Sequence, residues 1–193
     1  MTGQVDPTAF IHRLALVEGS TVGARTRIWQ FASVIRGAVI GADCNIASGA
    51  CIDGSEIGDG CIIAHNLAMG PGFRLGREVF VGPNVTFCND LWPRAAKGGF
   101  DVARYQGSDM AVIVADGASI GAGAVILPGV HIGAGAMVGA NAVVTANVPD
   151  GHVWTGNGQI RPIRDEQAKE RIRFARSGLE DSRDFLAARG FRL

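Results

Sequence analysis

Two short segments carry side chains that can hold an amine and accept a proton. They are AHN, residues 64–66, and GPN, residues 82–84. Histidine titrates near neutral pH, so His65 is a candidate general base. Asn66 and Asn84 each offer an amide that both donates and accepts hydrogen bonds. Their separation of eighteen residues is three times the repeat described below, so we expect them to lie one above the other, or to form a purely structural asparagine ladder.

A third polar segment, NDLWPRA at residues 89–95, places an amide, a carboxylate, an aromatic ring and a guanidinium close together. Asn89, Trp92 and Arg94 predict a lid over a polar ligand, and Tyr105, the only tyrosine, lies farther along the same stretch. Asp90 is an acidic catalytic candidate, although an aspartate here can also shape the turn or bind an amine as a cation. The alternative is a surface loop without a ligand.

Apolar residues recur every six positions along most of the chain, a period that fits neither a helix nor a simple strand. After a one-residue deletion the series continues, and it resumes after a longer gap; its members are Phe10, Leu16, Val22, Ile28, Val34, Ile40, Ile46, Ile52, Ile57, Ile63, Met69, Leu75, Val81, Phe87, Val114, Ile120, Ile126, Ile132, Val138 and Val144.

A second inward position, four residues after each apolar residue, carries mostly small side chains: Ser20, Thr26, Ala32, Ala38, Cys44, Ala50, Cys61, Val79, Val85, Ala118, Ala124, Val130, Ala136 and Ala142. The glycine that often follows the aliphatic residue, as in Gly58 and Gly121, fits a turn where a side chain would clash or where positive φ is needed. The unit is therefore a short strand and a corner. One unit buries too little to be stable alone, so the units must stack.

The series is interrupted between Phe87 and Val114, which predicts an inserted loop over residues 88–113. Loops of this length in a compact repeat are commonly functional. The sequence predicts a repeat domain over residues 1–148. Residues 149–193 form a C-terminal extension that is rich in helix formers and is predicted to be largely helical.

Composition indicates a folded protein: the 193 residues are 47% hydrophobic and 19% charged, with a formal net charge of zero. There is no basic patch for nucleic acid or an anionic membrane, and no membrane span or signal peptide, so we predict a cytoplasmic protein. Cys44 and Cys61 fall on the inward position and are predicted to be reduced core thiols. Cys88 is left as a candidate functional thiol.

The repeat [LIV]-G-x-x-[small]-x resembles that of the hexapeptide-repeat acyltransferases. This resemblance implies an all-β fold, a left-handed parallel β-helix with three hexads per coil and six to seven coils, carrying an inserted loop and a short C-terminal α-helical tail.

More specific segments resemble the bacterial N-acetyltransferases that acylate the 3-amino group of nucleotide-linked deoxy sugars; they are VDPTAFIH, TRIWQF, AHN, VFVGPNVTFCNDLWPRA and GAMVGANAVVTANVP. The likeness spans residues 5–163. Gln30 stands where a histidine is frequent in that family. Residues 156–160 replace the family's GNPAR, a difference that bears on how the coenzyme A tail is held.

The resemblance implies a homotrimer with acetyl-CoA in the groove between subunits and a dTDP- or UDP-linked amino sugar under the inserted loop, without a metal. Asn84, His65 and Asp90 are then the catalytic candidates. Substrate binding is expected at Gln30, Asn66, Asn89, Trp92, Arg94 and Tyr105. Coenzyme A is expected at Ala122, Gly123, Ala140, Asn141, Trp154 and Arg161.

Three alternatives stay open. The acceptor can be an antibiotic, serine or a 4-amino sugar. A γ-type carbonic anhydrase shares this fold but needs three converging histidines, whereas only His65 and His131 lie in central repeats. A non-catalytic β-helix scaffold leaves the aromatic, charged insertion unexplained.

Overall fold

The computed structural model describes residues 3–93, 95 and 110–164, which form short strands joined by tight turns and contain no helix. The strands make three sheets, here named the first, second and third faces. The first face consists of β1 (Phe10–Ile11), β4 (Arg27–Ile28), β7 (Asn45–Ile46), β10 (Ile62–Ile63), β13 (Phe80–Val81), β16 (Ser119–Ile120), β19 (Met137–Val138), β21 (His152–Trp154) and β22 (Ile160–Pro162).

The second face consists of β2 (Leu16–Val17), β5 (Ser33–Ile35), β8 (Cys51–Asp53), β11 (Ala68–Met69), β14 (Thr86–Phe87), β17 (Val125–Ile126) and β20 (Val143–Val144). The third face consists of β3 (Thr21–Val22), β6 (Val39–Ile40), β9 (Glu56–Ile57), β12 (Phe73–Leu75), β15 (Val112–Val114) and β18 (His131–Ile132).

From β1 to β20, hydrogen-bonded neighbours are three strands apart in the sequence and run parallel. Three hexads therefore make one coil, and the seven strands of the second face correspond to seven coils. The predicted β-helix of hexapeptide repeats is confirmed. In this solenoid each backbone bonds mainly to the coils above and below it, so a coil is stable only within the stack.

The inserted segment leaves the register of the solenoid intact. Ile63 lies opposite Val81, eighteen residues along, whereas Val81 lies opposite Ile120. The same jump of 39 residues separates the paired Arg77 and Asp116, so the insertion adds one interval of about 21 residues, as the sequence predicts. It departs after β14 on the second face and returns at β15 on the third face.

The core follows the six-residue series with one correction. The predicted inward residues from Val22 to Val144 are buried, as are all the small residues of the second inward position. Phe10 and Leu16, however, are 45% and 50% exposed. Ile11 and Val17 pack against the core in their place, opposite Ile28 and Val34. The series is therefore shifted by one residue in the first coil, and a second deletion lies before Val22.

Glycines after the aliphatic residue are required by the close approach of adjacent coils. A Cβ on Gly58 would lie 2.7 Å from the carbonyl carbon and oxygen of Gly76, and one on Gly82 would lie 2.6 Å from the Ala122 nitrogen. Positive φ occurs elsewhere in the turns, for example at Gly135 (60°), where a Cβ would meet no atom. Steric exclusion, rather than positive φ, explains the glycine of the repeat.

The turns from the third to the first face, here the third corner, are occupied by paired charges. Arg25 pairs with Asp43, and Arg77 pairs with Asp116. The Arg77 backbone N–H and guanidinium donate to the Asp116 carboxylate and lower its pKa. Such exposed pairs stabilise a fold only slightly. Because their groups already satisfy one another, this corner offers little to a ligand.

The two predicted core thiols lie in adjacent coils beneath the third corner and are buried and free. Cys44 Sγ donates to the Gly58 carbonyl, and Cys61 Sγ donates to the Gly76 carbonyl, each at 3.1 Å. The hydrogen bond with Cys44 and burial raise the pKa of Cys61. A raised pKa disfavours the reactive thiolate of Cys61, whereas the hydrogen bond with Cys61 lowers the pKa of Cys44; burial of both side chains in the core supports a structural role for the pair. Cys88 is half-buried, and burial raises the pKa of this thiol too.

The solenoid continues past the predicted boundary at residue 148. Val148 bridges to Ile132, and β21 pairs with β19, with Trp154 opposite Val138. The compact unit runs from Met1 to Arg161, and a second unit starts at Pro162. Residues 149–164 are thus strand and turn rather than helix. The helical prediction for residues 165–193 falls outside the described residues.

Candidate functional site

One edge of the solenoid, the first corner, brings together most of the predicted site residues. It consists of the turns that connect each first-face strand to the next second-face strand. The strand registers align two adjacent columns along this corner. One column is Gln30, Ser48, His65, Pro83, Ala122 and Ala140, and the other is Phe31, Gly49, Asn66, Asn84, Gly123 and Asn141.

Backbone hydrogen bonds hold these turns in line. Asn84 N–H donates to the His65 carbonyl, and Gly123 N–H donates to the Pro83 carbonyl, at 2.9 and 2.8 Å. Asn141 N–H repeats the contact with the Ala122 carbonyl at 2.8 Å. The vertical alignment predicted for Asn66 and Asn84 is confirmed, and the column extends through Asn141.

Both central asparagines adopt left-handed backbone conformation, with φ of 59° at Asn66 and at Asn84. Asparagine tolerates this region better than other side-chain-bearing residues. Asn66 Nδ2 donates to Asn84 Oδ1 at 3.3 Å, and Asn66 Oδ1 fills the space beside Gly49 where a Cβ would be. The asparagines therefore do form a ladder that shapes the turns. Both side chains nevertheless remain exposed.

His65 lies at the first position of its turn, between Ser48 and Pro83 of the adjacent coils. The residue is exposed, and its imidazole makes no hydrogen bond with any residue that the structure describes. A ligand at Asn66 and Asn84 would lie next to this ring. The geometry is compatible with a base at His65 but does not orient the imidazole toward a particular atom.

Asn89, Asp90 and Trp92 lie at another edge, the second corner, where the second face turns toward the third. Asn89 Nδ2 donates to the Pro71 carbonyl at 3.1 Å, and Asp90 Oδ1 accepts the Trp92 N–H at 2.9 Å. Asp90 thus shapes the turn, one of the three roles considered for it. Trp92 is 78% exposed. Asn84 and Asn89 are five residues apart, so at most about 18 Å separates the two corners in this coil.

Of the four remaining predicted residues, Trp154 and Arg161 lie apart from both corners. Arg94 and Tyr105 are outside the described residues. Arg161 is exposed in β22. The prediction that Trp154 contacts coenzyme A is not supported, because Trp154 is only 5% exposed and belongs to the core at the C-terminal end of the solenoid. Its indole N–H is buried without an acceptor among the residues that the structure describes.

The sequence analysis overlooked Phe31, which occupies the asparagine column with φ of 63° and 67% exposure. Nearby, the Phe10 and Trp29 rings lie 5.4 Å apart, and Trp29 Nε1 donates to Asn45 Oδ1 at 2.9 Å. A signal was present: aligned at the coil repeat, Phe31 stands where later coils have Gly49, Asn66 and Asn84.

Neither a metal cluster nor a transmembrane helix is found within the described ranges. No group of three His, Cys, Asp or Glu side chains there could hold a metal ion. His65 lies on the first corner and His131 on the third face. No helix among the described residues is long and apolar enough to cross a membrane.

Comparison with known proteins identifies the repeat. Residues 111–146 match the family described as bacterial transferase hexapeptide (six repeats), and residues 37–71 match the hexapeptide repeat of succinyl-transferase. Over 126 residues the chain is 27% identical to the bifunctional protein GlmU of Thermodesulfovibrio yellowstonii. That match covers 63% of this chain but only 28% of the relative, so the chain corresponds to a part of that protein.

Solved structures share the fold at low sequence identity. A UDP-N-acetylglucosamine acyltransferase of Francisella novicida superposes with a TM-score of 0.62 at 18% identity, covering 88% of this chain and 72% of that chain. AntD, an N-acyltransferase from Bacillus cereus solved with dTDP and 3-hydroxybutyryl-CoA, gives a TM-score of 0.54 at 20% identity, covering 91% and 90%. The observed coils and these matches identify the chain as a hexapeptide-repeat protein with the fold of the hexapeptide acyltransferases.

Proposed function

We propose that the protein transfers an acetyl group from acetyl-CoA to the amine, at C3, of a dTDP- or UDP-linked amino-deoxy sugar. The observation that carries this proposal is the first corner, where two exposed amides stand directly below small residues. Asn66 and Asn84 can hold a polar acceptor, while Ala122 and Gly123 in the next coil carry little or no side chain. The resemblance of the corner segments to sugar 3-N-acetyltransferases supplies the acceptor class.

The chemistry requires a neutral amine held against the thioester carbon. Asn84 Oδ1 accepts one hydrogen bond from Asn66, and a carbonyl oxygen has two lone pairs. In the proposal the second accepts an N–H of the substrate amine and thereby turns the nitrogen lone pair toward the acetyl carbon. The C–N bond forms, the C–S bond breaks, and the departing coenzyme A thiolate takes the amine proton. Positioning of this kind supplies about 7 to 11 kcal/mol.

His65 and Asp90 are the alternative proton acceptors. A general base contributes a factor of about a hundred to ten thousand, which is a smaller contribution than positioning. His65 adjoins the stacked amides, whereas Asp90 lies at the second corner and already accepts the Trp92 backbone N–H. We therefore assign the leading role to Asn84, with His65 as the rival base.

The upper coils of the first corner are the proposed coenzyme A site. Ala122, Gly123, Ala140 and Asn141 lie one and two coils above Asn84 and present mainly backbone and small side chains. A pantetheine arm could hydrogen-bond to backbone groups along this column. Arg161, exposed in β22, is the proposed partner for the coenzyme A phosphates.

Substrate contacts from the second corner imply more than one copy of the chain. Gln30, Asn66 and Asn84 belong to the first corner, while Asn89 and Trp92 belong to the second. Arg94 and Tyr105 are proposed to join the second group. In a closed three-fold ring, each copy presents one surface to one neighbour and a different surface to the other. The proposed homotrimer then forms each site from the first corner of one copy and the second corner of the next.

The acceptor class is tested by following thiol release from acetyl-CoA. The panel contains 3-amino and 4-amino dTDP- and UDP-sugars, with serine as a small amine. We expect turnover with a 3-amino nucleotide sugar. Turnover confined to 4-amino sugars would reject the position of the amine, and turnover of serine alone would reject the nucleotide-sugar class. A chain that neither binds nor cleaves acetyl-CoA would favour the scaffold.

The shared site is tested by mixing two inactive variants. We expect both variants to have low activity. Asn84→Ala damages the first-corner half of every site, and Asp90→Ala damages the second-corner half. Subunits mixed by co-expression should regain activity in about a quarter of sites, where an intact first corner meets an intact second corner. The measurement is kcat per site against each variant alone. Activity of the mixture equal to the average of the two variants would place both corners of a site on one chain.

A further inference from the structure

Phe31 departs from the residues aligned with it in two ways. Its backbone φ is 63°, a region that bulky residues rarely adopt. Aligned positions in later coils carry Gly49, Asn66, Asn84, Gly123 and Asn141, residues suited to that conformation. In addition, 67% of the Phe31 residue is exposed to water. Backbone strain and an exposed aromatic ring are both unfavourable for folding. Arg25, Arg36 and Glu78 adopt similar φ in other turns, so the feature that distinguishes Phe31 is an exposed aromatic ring in this conformation.

The position of Phe31 fits the far end of the proposed acceptor. The upper coils of the first corner are assigned to coenzyme A, so the acceptor must extend downward from Asn84. Phe31 lies three coils below Asn84, or about 14 Å at the usual spacing of strands. Gly49 and Asn66 occupy the two intervening coils; Gly49 adds no side chain of its own, and the Asn66 side chain lies beside it, so the acceptor would run over the outer surface of these two turns. In a nucleoside-diphosphate sugar, a ribose and two phosphates separate the base from the sugar over a comparable length.

The side chain next to Phe31 in the sequence, that of Gln30, is available for hydrogen bonding to a ligand. The Gln30 amide makes no hydrogen bond with any described residue, and it both donates and accepts. A uracil or thymine ring presents the complementary pair, an N–H beside a carbonyl oxygen.

The turn that carries Phe31 is held in place by several contacts. Trp29, two residues earlier, is half-buried, packs against Phe10 at 5.4 Å between ring centroids, and is anchored to Asn45. The backbone N–H of Phe31 donates to the Leu14 carbonyl at 2.9 Å. The backbone that carries the Phe31 ring is thus held in place before any ligand binds, which lowers the cost of ordering this turn on binding.

We infer that Phe31 is a stacking surface for the pyrimidine base of the nucleoside-diphosphate sugar, with Gln30 bonding to the base edge. This inference rests on the proposed function and assigns its nucleotide subsite to the first corner. Among the described residues, Trp92 is also a strongly exposed aromatic residue; it lies at the second corner and is assigned to the sugar end. Stacking on an aromatic side chain depends little on the identity of the base, so Gln30 would supply the preference for uracil or thymine.

The test is calorimetric titration of UDP, dTDP and inorganic pyrophosphate into the intact chain and its variants. In Phe31→Asn we expect the Kd for UDP and dTDP to rise about tenfold, since one stacking contact is lost. The Kd for pyrophosphate should not change. Phe31→Trp should retain the wild-type Kd. The melting temperature of Phe31→Asn should equal or exceed that of the wild type, because asparagine tolerates positive φ.

Phe80→Ala is the matched control. It removes another exposed phenylalanine ring, from a regular strand of the first face, and should leave nucleotide affinity unchanged. Phe31→Gly serves as a second variant if the asparagine variant does not fold. Unchanged nucleotide affinity in both variants, equal loss of pyrophosphate binding, or dissociation of the assembled copies on losing the ring would each overturn the inference.

Failure of the inference is distinguishable from failure of the proposed function. If the wild type acetylates a nucleotide-linked sugar and Phe31→Asn keeps its KM for that sugar, the stacking site alone is rejected. If UDP or dTDP binds through Phe31 but no nucleotide-linked amine is acetylated, the proposed function alone is rejected. A wild-type chain that binds neither nucleotide rejects the stacking site directly.

Discussion

Replacement of Asn84 by alanine is expected to lower kcat/KM about a hundredfold, because a displacement of about 1 Å in a reacting group can cost this much. The substitution removes the carbonyl oxygen that would hold the amine, and it also removes the acceptor of the Asn66 side chain. The loss should fall on kcat, since the contact matters most when the nitrogen approaches the acetyl carbon. Steady-state thiol release with a 3-amino nucleotide sugar measures both constants.

His65→Ala is the matched variant, because the two residues lie in consecutive coils of the same corner. We expect it to lose less turnover than Asn84→Ala, with a weaker dependence of kcat on pH than a catalytic base would give. A larger loss of turnover in His65→Ala, together with the disappearance of a pH dependence of kcat near neutrality, would instead identify His65 as the proton acceptor. The melting temperature of His65→Ala should stay close to that of the wild type, since that side chain is exposed, whereas Asn84→Ala places an alanine at a φ of 59° and should melt at a lower temperature.

Gly58→Ala is expected to lower the free energy of unfolding by about 3 kcal/mol, a large effect for one methyl group. The added Cβ would lie 2.7 Å from the backbone carbonyl carbon and oxygen of Gly76, and these backbone atoms cannot rotate aside. The two coils must then separate, which weakens their hydrogen bonds. Chemical unfolding followed by far-ultraviolet circular dichroism measures the change.

Gly135→Ala provides the control, because a Cβ there would meet no atom and only the positive φ of 60° is unfavourable. Its cost should be about 1 to 2 kcal/mol, and Gly135→Asn should cost less than Gly135→Ala. If Gly135→Ala proves more damaging than Gly58→Ala, conformational freedom and not the distance between coils accounts for the glycines of the repeat.

The core was predictable from sequence because its buried residues recur at a single period of six residues. Each buried aliphatic residue recurs after six positions, and a slip of one residue would move a polar side chain inside. The prediction failed at Phe10 and Leu16, where each is followed by another apolar residue, Ile11 or Val17. Either member of such a pair can face inward, so periodicity alone does not show which residue is buried. For the same reason the sequence does not reveal the deletion before Val22.

The candidate site was predictable in part for the same reason. The alignment of Asn66 with Asn84 follows directly from the coil length. The position of Trp154 depends instead on how the last coil is closed, which no repeat specifies, so an aromatic residue expected at the surface became core. Phe31 was missed because its exposure and its backbone strain are both properties of the folded turn, although its place in the column was visible.

The unbroken pairing on either side of the insertion has a further consequence. Because β13 and β14 bond to β16 and β17 as neighbouring coils do elsewhere, the strand pairing of the solenoid is continuous across the insertion. The segment between β14 and β15 can therefore change in length or sequence without a change in the register of the coils. Under the proposed function, related proteins can thus bind different acceptors through changes in this one segment, while the part of the solenoid that binds the acyl donor stays the same.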